Sequence, residues 1–380
     1  MRRYVDPEPF DPEEERPLTP EQERLYTASQ WRLVWMRFRR HRLAVVSLVV
    51  LALLYGSIVV TEVLAPYTLD SRHSSHVYAP PQPVHLFHDG RFVGPFVYPL
   101  SFELNMETME REYTVDRSSP QPLRWFCRGE PYRFWGTFEA DRHLFCPPEG
   151  GTAFLLGTDR LGRDMLSRIL HGARISLTIG LFGVAVSFVL GVTLGGLAGY
   201  VGGLVDGVIQ RTIEIIRSFP VIPLWMALSA ALPVNWDPLW VYFGITIILG
   251  LVDWPGLARA VRGRILSLRE EDFAQAAIFM GARPRRVIGR HLVPSFASHL
   301  IASVTLAIPT MILGETALSF LGLGLRPPIT SWGVLLTEAQ NINAVALYPW
   351  LMLPVVPVIL VVLAFNFVGD GLRDAADPYS

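Results

Sequence analysis

The chain contains no lysine, so all 33 residues counted together as lysine and arginine are arginines. A Walker A phosphate-binding loop needs a lysine to reach the β- and γ-phosphates of a nucleotide, and such a loop is therefore excluded. Covalent catalysis through a lysine Schiff base is excluded for the same reason. If ATP drives this protein, another subunit binds it.

Charged residues are also scarce, at 18% of the chain, whereas 51% of the residues are hydrophobic and the mean hydropathy is +0.33. An ordinary soluble domain carries about 25% charged residues. This composition predicts several membrane spans. The net charge of −1 argues against nucleic acid as a partner, because the chain has no overall cationic field.

Six apolar runs each approach the roughly 20 residues that an α-helix needs to cross a bilayer. They cover residues 43–65, 175–199, 207–232, 239–258, 297–322 and 351–369. We therefore predict an all-α polytopic membrane protein with six transmembrane helices. The predicted regions are a cytoplasmic N-terminal segment (1–42), an extracytoplasmic insert (66–156), a five-helix core with an interfacial helix (157–369) and a cytoplasmic tail (370–380).

The distribution of arginine predicts the orientation in the cytoplasmic (inner) membrane. Four arginines directly precede the first run, the loop 259–296 carries eight, and the loops 233–238 and 323–350 carry one between them. Cytoplasmic loops hold an excess of arginine, so we expect both termini inside. No cleavable signal peptide is expected in front, where residues 1–30 are rich in proline and glutamate and are expected to be disordered or loosely attached.

Several charges sit close to the apolar runs. Arg168 and Arg174 flank the second run on its outer side, against the orientation rule. Arg211, Glu214 and Arg217 occur at helical spacing in the third run. They can pair along one face and point at a cytoplasmic cavity or a partner helix. Alternatively, this stretch is an interfacial helix that ends at the following Phe-Pro pair.

The insert is rich in proline and aromatic residues and predicts a small cap of mostly irregular structure. It holds both cysteines, Cys127 and Cys146, which on this side of the membrane form either a disulfide or two free thiols. Its arginines and aromatic residues, among them Trp135, are of types common at interfaces. The insert either docks a partner protein or packs on the rest of this membrane protein.

Four histidines of the insert form two His-x-x-His pairs. They are His73 with His76 and His85 with His88. This spacing binds a metal where it is helical or sharply turned. The prolines nearby favour solvated loop histidines instead, and we predict no metal site.

A capped helix is predicted directly after the insert, where Thr158 or Asp159 can accept hydrogen bonds from the first helical amides. An apolar stripe from Leu161 to Ala173 lies opposite charged residues, as in a helix at the membrane interface. The alternative is a helix of the cap. Six glycines between residues 180 and 199 favour close helix contacts, so the second span should be central in the bundle.

The polar segment after the fourth run reads as a short helix, a turn and a second helix. Acidic residues up to Asp272 favour a helix start, Gly281 permits a bend, and the second helix reaches Pro294. Ala276, Ala277 and Met280 leave a low apolar surface that suits a groove on a partner. The alternative is a solvated connection between two spans.

This segment resembles the EAA motif of ABC-importer permeases, with Gly281 and Pro294 at the family spacing. Gln275 stands where the motif often has glutamate. Further motifs resemble the dipeptide, oligopeptide and nickel subgroup, and in particular its second permease type. They are Gly157 to Asp164, Gly172 to Arg174, Ser319 to Gly324, Gly369 to Asp374 and the Asp377-Pro378 pair. The resemblance covers about residues 157–378 and the first span, and the insert is larger than in common members.

The resemblance implies a permease subunit that translocates di- or oligopeptides. The chain would pair with a homologous permease, sit on two ATPase subunits that bind ATP and Mg²⁺, and receive substrate from an extracytoplasmic binding protein. It would hold no cofactor and catalyse no reaction itself. The implied ATPase-coupling residues are Asp272, Gln275, Ala276, Ala277, Gly281, Ala282, Arg285 and Pro294.

Glu315 is an acid within the fifth run, and such a group predicts a functional site. With Arg211 and Glu214 it is expected to line the translocation path or contact the partner permease; a structural hydrogen bond is the alternative. Other members of the family move nickel or oligosaccharides. An ion-driven transporter should show several mid-membrane acids or repeats, and an intramembrane enzyme should show a catalytic motif.

Overall fold

The computed structural model describes residues 29–107, 111–233 and 235–376. The predicted disorder of the N-terminal segment and the Asp377-Pro378 pair lie outside these residues. The main helices are α1 (Gln30–Phe38), α2 (Arg42–Val59), α3 (Thr61–Leu64), α4 (Met165–Val201), α5 (Gly203–Ser218), α6 (Val221–Ala230), α7 (Pro238–Leu268), α8 (Asp272–Phe279), α9 (Ala297–Phe320), α10 (Trp332–Thr337), α11 (Ile342–Leu347) and α12 (Val355–Ala376).

Within the described residues, seven strands lie between α3 and α4. They are β1 (His85–His88), β2 (Arg91–Val97), β3 (Leu100–Leu104), β4 (Arg111–Val115), β5 (Gln121–Pro122), β6 (Arg124–Phe134) and β7 (Phe138–Cys146). They form three antiparallel sheets in the orders β1-β2-β5, β3-β4 and β6-β7. The expectation of mostly irregular structure in the insert is therefore wrong. Most of its prolines lie outside the strands. Pro131 lies inside β6 at a register irregularity, where a missing amide hydrogen is tolerated, and Pro95 lies inside β2.

In the parts of the chain that the structure describes, five helices are long and apolar enough to cross a membrane, and the bent pair α5–α6 supplies a sixth crossing if it counts as one span. The predicted third span is thus a broken helix, with its halves at 90°. Pro220 causes the break, because it offers no amide hydrogen and forces the residue before it out of the helical region. Phe219 is accordingly extended, with φ −93° and ψ 141°.

The expected interfacial helix is not a separate element. It is the first part of α4, which runs for 37 residues without interruption. At 1.5 Å per residue such a helix is about 55 Å long, far more than the roughly 30 Å of hydrocarbon. Its first turns therefore extend beyond the apolar layer and pack under the insert. We call this end of the bundle the insert end and the opposite one, which carries α8, the loop end.

The prediction that α4 is central is confirmed, because its glycines are buried against α7 and α9. A Cβ atom on Gly195 would lie 2.4 Å from the carbonyl oxygen of Ala258, and one on Gly199 would lie 2.8 Å from that of Arg262. Only glycine permits this approach of two helix backbones. The main core contains residues of all the long helices, with Trp332 of α10 buried beside α4.

Two predicted boundaries also move. Helix α7 continues to Leu268, so the loop begins at residue 269 and not at 259. The C-terminal tail is helical as far as Ala376, where α12 packs on α1 and α2. A Cβ atom on Gly371 would lie 2.4 Å from that of Ala44. These extensions are stabilised by packing against neighbouring helices, which the hydropathy of one segment does not reveal.

Candidate functional site

Helix α8 lies on the loop end of the bundle as a short arm with one buried face. Ala274 and Ala277 are 0% and 3% exposed, and they lie three residues apart on the face toward the bundle. Ala274 packs in a cluster with Val261 and Ile265 of α7 and with Leu292. The sequence interpretation of Ala277 as part of a docking surface is therefore wrong, because this methyl group faces the chain's own core.

Gly281 ends α8 in a Schellman motif. The amide of Ala282 donates to the carbonyl of Ala277 at 3.0 Å, and the amide of Gly281 donates to that of Ile278 at 2.9 Å. Gly281 has φ +80°, the left-handed region that glycine occupies without strain. Its place is thus set by backbone conformation, since a Cβ atom there would meet nothing within 4 Å.

The second predicted helix is a composite. A turn over Pro284–Arg286 leads into a π-helix, Val287–Leu292, and then into Val293–Ser295. The amide of Val293 donates to the carbonyl of Ile288, five residues back. The wider turn precedes Pro294, which cannot donate a helical hydrogen bond and crowds the preceding turn. Pro294 therefore marks where the arm bends back toward α9.

The outer tip of the arm is apolar and bare. Phe279 is 86% exposed and Met280 is 82% exposed, and Phe273 lies half-exposed on the same helix. Ala276 and Asp272 are exposed as well. Arg285 and two neighbouring arginines form an exposed cationic margin. The arm thus presents two large apolar side chains next to positive charge.

Polar contacts hold the arm in place. Gln275 donates from Nε2 to the carbonyl of Arg269 at 2.8 Å. Arg269 donates to the carbonyl of Gly199 at the end of α4, at 3.3 Å. Arg262 forms a bidentate pair with Asp206 of α5, with distances of 2.6 and 2.5 Å. Gln275 therefore acts on its own loop, whereas the exposed tip remains open to a partner.

A network of four charged groups locks the insert end: Asp159, Arg163, Arg168 and Glu338, which we call the Asp159 network. Asp159 is 0% exposed and accepts from Arg163 Nε at 2.7 Å and from Arg168 Nη1. Arg168 also reaches Glu338 at 3.3 Å. The two positive and two negative groups compensate one another, which explains how Arg168 is buried on this side of the bundle.

The residues around this network join three parts of the chain. The amide of Ala79 donates to Thr158 Oγ1 at 2.7 Å, and Trp350 donates to the carbonyl of Thr158 at 2.9 Å. Asp164 caps α4 by accepting from the amide and hydroxyl of Ser167, each at 2.7 Å. Burial raises the pKa of Asp164 to about 7, although the bonds from Ser167 act in the opposite direction.

Arg174 is the second arginine at the insert end, and it ties α4 to the first span and to the insert. It makes a bidentate pair with Glu62, both distances being 2.8 Å, and lies 4.0 Å from the ring centre of Trp135. Burial alone would raise the pKa of Glu62, but the hydrogen bonds and charge of Arg174 hold it below its usual value. Trp135 thus anchors the insert to the bundle.

Glu315 is wholly buried inside this chain. Its carboxylate accepts from Ser176 at 3.2 Å, from Ser319 at 2.8 Å and from Ser331 at 2.6 Å. Each serine oxygen in turn accepts a backbone amide, those of Trp332, Leu325 and Val334. The expected place in the translocation path or at a partner is therefore wrong in this conformation. Glu315 connects α4, α9 and α10.

Arg211 and Glu214 lie on the open face of α5 and pair with each other at 2.8 Å, with exposures of 82% and 52%. The structure brings neither into contact with Glu315, so the three predicted residues do not form one site. Cys127 and Cys146 are joined in a disulfide across β6 and β7, with 6.2 Å between their Cα atoms.

The four histidines pack against aromatic rings. The ring of His73 lies 5.1 Å and that of His76 lies 5.2 Å from the ring of Phe154, and His85 and His88 pack on Phe96 and Tyr98. Within the described residues, no group of three or more potential metal ligands is close enough to hold an ion.

Two acids were missed by the sequence analysis. Glu62 lies in α3, directly after the first span, and pairs with Arg174, 112 residues away. Asp253 lies in the middle of α7 and lines a cavity. The signal for Asp253 was present, because an acid inside an apolar run is costly and functional by default.

These features define a polytopic membrane protein with an exposed arm for a partner. Residues 191–379 match the family described as binding-protein-dependent transport system inner membrane component, and residues 29–81 match the N-terminal transmembrane domain of oligopeptide transport permease C. Most of the insert lies between the two matched segments.

Named relatives show the family directly. The oligopeptide transport system permease protein OppC of Haemophilus influenzae is 41% identical over 223 residues, which are 58% of this chain and 69% of the relative. The glutathione transport system permease protein GsiD of Pectobacterium atrosepticum is 38% identical over 248 residues, 65% of this chain and 79% of the relative. The chain therefore belongs to the family of permease components of ABC transport systems.

A solved structure of the MetNI methionine ABC transporter in inward-facing conformations is also similar. It is 20% identical, has a TM-score of 0.44, and the match covers 56% of this chain and 97% of that chain.

Proposed function

We propose that this protein is a permease subunit of an ATP-driven importer that carries peptides across the cytoplasmic membrane. Relatives named for oligopeptide, dipeptide and glutathione transport support a peptide-like substrate. A homologous permease, two ATPase subunits that bind ATP and Mg²⁺, and an extracytoplasmic binding protein complete the complex. Both termini and helix α8 lie in the cytoplasm, and the insert lies outside.

The observation that carries this proposal is the apolar tip of the arm. Exposed phenylalanine and methionine side chains are costly to leave in water and are typical of docking surfaces. Phe279 and Met280 stand on a helix whose other face is fixed to α7, so the arm transmits a push to the bundle as one piece. In the proposed cycle the arm sits in a groove of one ATPase subunit, and nucleotide binding moves it toward its counterpart on the other permease.

Arg285 and its neighbours give the same face a positive margin. This charge would steer the arm toward a groove with acidic residues, because complementary charge mainly fixes orientation and the rate of association. Asp272 begins the helix and favours its start. Ala276 leaves room for close approach. Gln275, Ala277, Gly281, Ala282 and Pro294 act indirectly, by holding the shape of the arm.

A pair of methionine substitutions tests the proposal. Met280→Glu places a charge at the tip, and Met106→Glu places the same charge on the insert, where the methionine is 77% exposed against 82% for Met280. In proteoliposomes with all subunits, Met280→Glu should abolish peptide uptake and the stimulation of ATP hydrolysis by loaded binding protein. Met106→Glu should retain both. Normal uptake by Met280→Glu would contradict the docking role of the tip.

A further inference from the structure

Asp253 lies at the midpoint of α7 and faces a cavity of about 240 Å³ between α4, α7 and α9. The cavity is lined by Val184, Ser187, Phe188, Asp253, Gly256, Leu257, Ala260, Ser303, Val304 and Ala307. Its walls are therefore apolar except for one carboxylate and two hydroxyl groups.

The sequence makes room at this point of the bundle. Gly256, Ala260 and Ala307 are small, and each contributes to the cavity wall. Pro255 interrupts the hydrogen bonding of α7, because it has no amide hydrogen for the carbonyl of Leu251, its ordinary helical acceptor. A break in the helical hydrogen bonding beside an acid is a feature of binding sites in the middle of transporter helices.

The hydrogen bonding and burial of Asp253 differ from those of Glu315, the other acid discussed in these spans. Glu315 receives three hydroxyl hydrogen bonds and is sealed from solvent. Among the described residues, Asp253 makes neither a hydrogen bond nor an ion pair, and it is only half-buried. Arg217 is close, since its Nη2 lies 3.0 Å from where a Cβ atom on Gly256 would stand, but it forms no ion pair with Asp253.

We infer that Asp253 binds the positively charged end of the translocated substrate, which for a peptide is the protonated amino terminus. This inference rests on the proposed function. An unpaired carboxylate at this depth needs a cationic partner during the transport cycle, and an ammonium group can take the carboxylate together with the hydroxyls of Ser187 and Ser303. Apolar walls then accept side chains of varied structure.

The composition of the cavity disfavours a metal ion as its occupant. Calcium takes six to eight oxygen ligands and magnesium requires nearly octahedral coordination. One carboxylate and two hydroxyl groups supply too few. An ammonium group carries three hydrogen-bond donors, which match these three side chains in number and polarity.

Access to the cavity is tested first. The only two cysteines of the chain are joined in the disulfide, so an introduced cysteine is its single thiol. In a complex whose other subunits lack reactive cysteines, Asp253→Cys and Ser303→Cys should react with a water-soluble methanethiosulfonate reagent during turnover. Ala302→Cys, at a position 3% exposed, should not react. Trialanine delivered by the binding protein should slow the reaction of Ser303→Cys, in which the carboxylate of Asp253 is intact. Absence of reaction at residue 253, or a reaction of Ser303→Cys that trialanine leaves unchanged, overturns the inference.

The role of charge is tested by transport. Asp253→Asn keeps the shape of the side chain and removes its charge, whereas Asp253→Glu keeps the charge. Trialanine uptake per ATP hydrolysed should fall about tenfold for Asn, the effect expected for loss of one charge-assisted contact. It should remain within about threefold for Glu. Stimulation of hydrolysis by loaded binding protein should persist in both variants.

Two other results have distinct meanings. If the unaltered complex transports trialanine and Asp253→Asn transports it equally well, the binding role of Asp253 is wrong while the proposed function stands. If Asp253→Asn and Arg217→Gln raise hydrolysis without binding protein to the same extent, the two residues form a gate and the substrate site is again wrong. If the unaltered complex carries no peptide, the proposed function itself fails.

Discussion

The two ends of this bundle use their functional-looking residues in opposite ways. At the loop end, α8 turns Phe279 and Met280 outward and buries only small alanines. At the insert end, the Asp159 network buries its charges against one another and shows little of them to solvent. The contrast teaches that a motif made of charged residues is not evidence of a contact surface. In this protein the charged motif closes the chain on itself, and the apolar one is open.

Because of this difference, substitutions at the two ends should affect different properties of the protein. Removal of one buried charge leaves the rest of its network with an uncompensated opposite charge in a dry site, which destabilises the fold itself. Alteration of an exposed tip changes no contact within the chain and acts only on the complex. Substitutions at the two ends should therefore divide into losses of folded protein and losses of coupling.

The largest effect is expected for Arg168→Met. It removes the cation that joins Asp159 to Glu338 and leaves both acids with Arg163, so the subunit should lose about 3–5 kcal/mol of stability. Thermal unfolding of the purified subunit in detergent, together with its yield from membranes, measures this loss. Arg160→Met is the matched control, because Arg160 is 61% exposed and its contact with Glu338 is long, at 4.0 Å. Its loss should cost about 0–1 kcal/mol of stability. Equal stability of both variants would contradict the structural role of the network.

The sequence was sufficient where local chemistry decides the structure. The start of α8 at Asp272, its end at Gly281 and the glycine-rich face of α4 follow from capping, backbone freedom and helix approach. Five of the spans lie where hydropathy placed them, and the break in the third lies at Phe219-Pro220.

Prediction from the sequence failed where contacts between residues far apart in the chain determine the structure. Arg168 and Arg174 looked misplaced because their partners, Glu338 and Glu62, lie 170 and 112 residues away. The sequence of α8 does not show which of its faces is buried, because packing on α7 decides that. Ala277 was therefore interpreted as part of a docking surface, although it is buried. The strands of the insert were missed because prolines were taken as breaks, although hairpin signals such as Gly136 between β6 and β7 were present.

A smaller effect, confined to the insert end, is a pH dependence of stability. Burial raises the pKa of Asp164 from an ordinary value of 3.8 to about 7. Between these values the unfolded chain loses the proton that the folded chain keeps, so the contribution of Asp164 is full below pH 3.8 and falls until about pH 7. Asp164→Asn cannot ionise and still caps α4, so its melting temperature should depend less on pH across this window. Asp70→Asn, an exposed site, should keep the original slope; identical profiles for Asp164→Asn and the unaltered protein would refute the assignment.

The smallest effect is expected at Gly281, and it sharpens the comparison because it concerns the angle of the arm alone. The left-handed conformation of this residue is poorly tolerated by a β-branched side chain, whereas asparagine adopts it more readily. Open space surrounds the site, so strain and not collision decides the outcome. Gly281→Val should shift the local equilibrium of the arm by about 1–2 kcal/mol and lower the ratio of peptide uptake to ATP hydrolysed, with little change in the melting temperature. Gly281→Asn should keep most of that ratio. Both quantities are measured in the same proteoliposomes. Equal ratios for the two variants would show that the bend is not required for coupling, and a large fall in melting temperature for Gly281→Val would show that the arm supports the fold as the Asp159 network does.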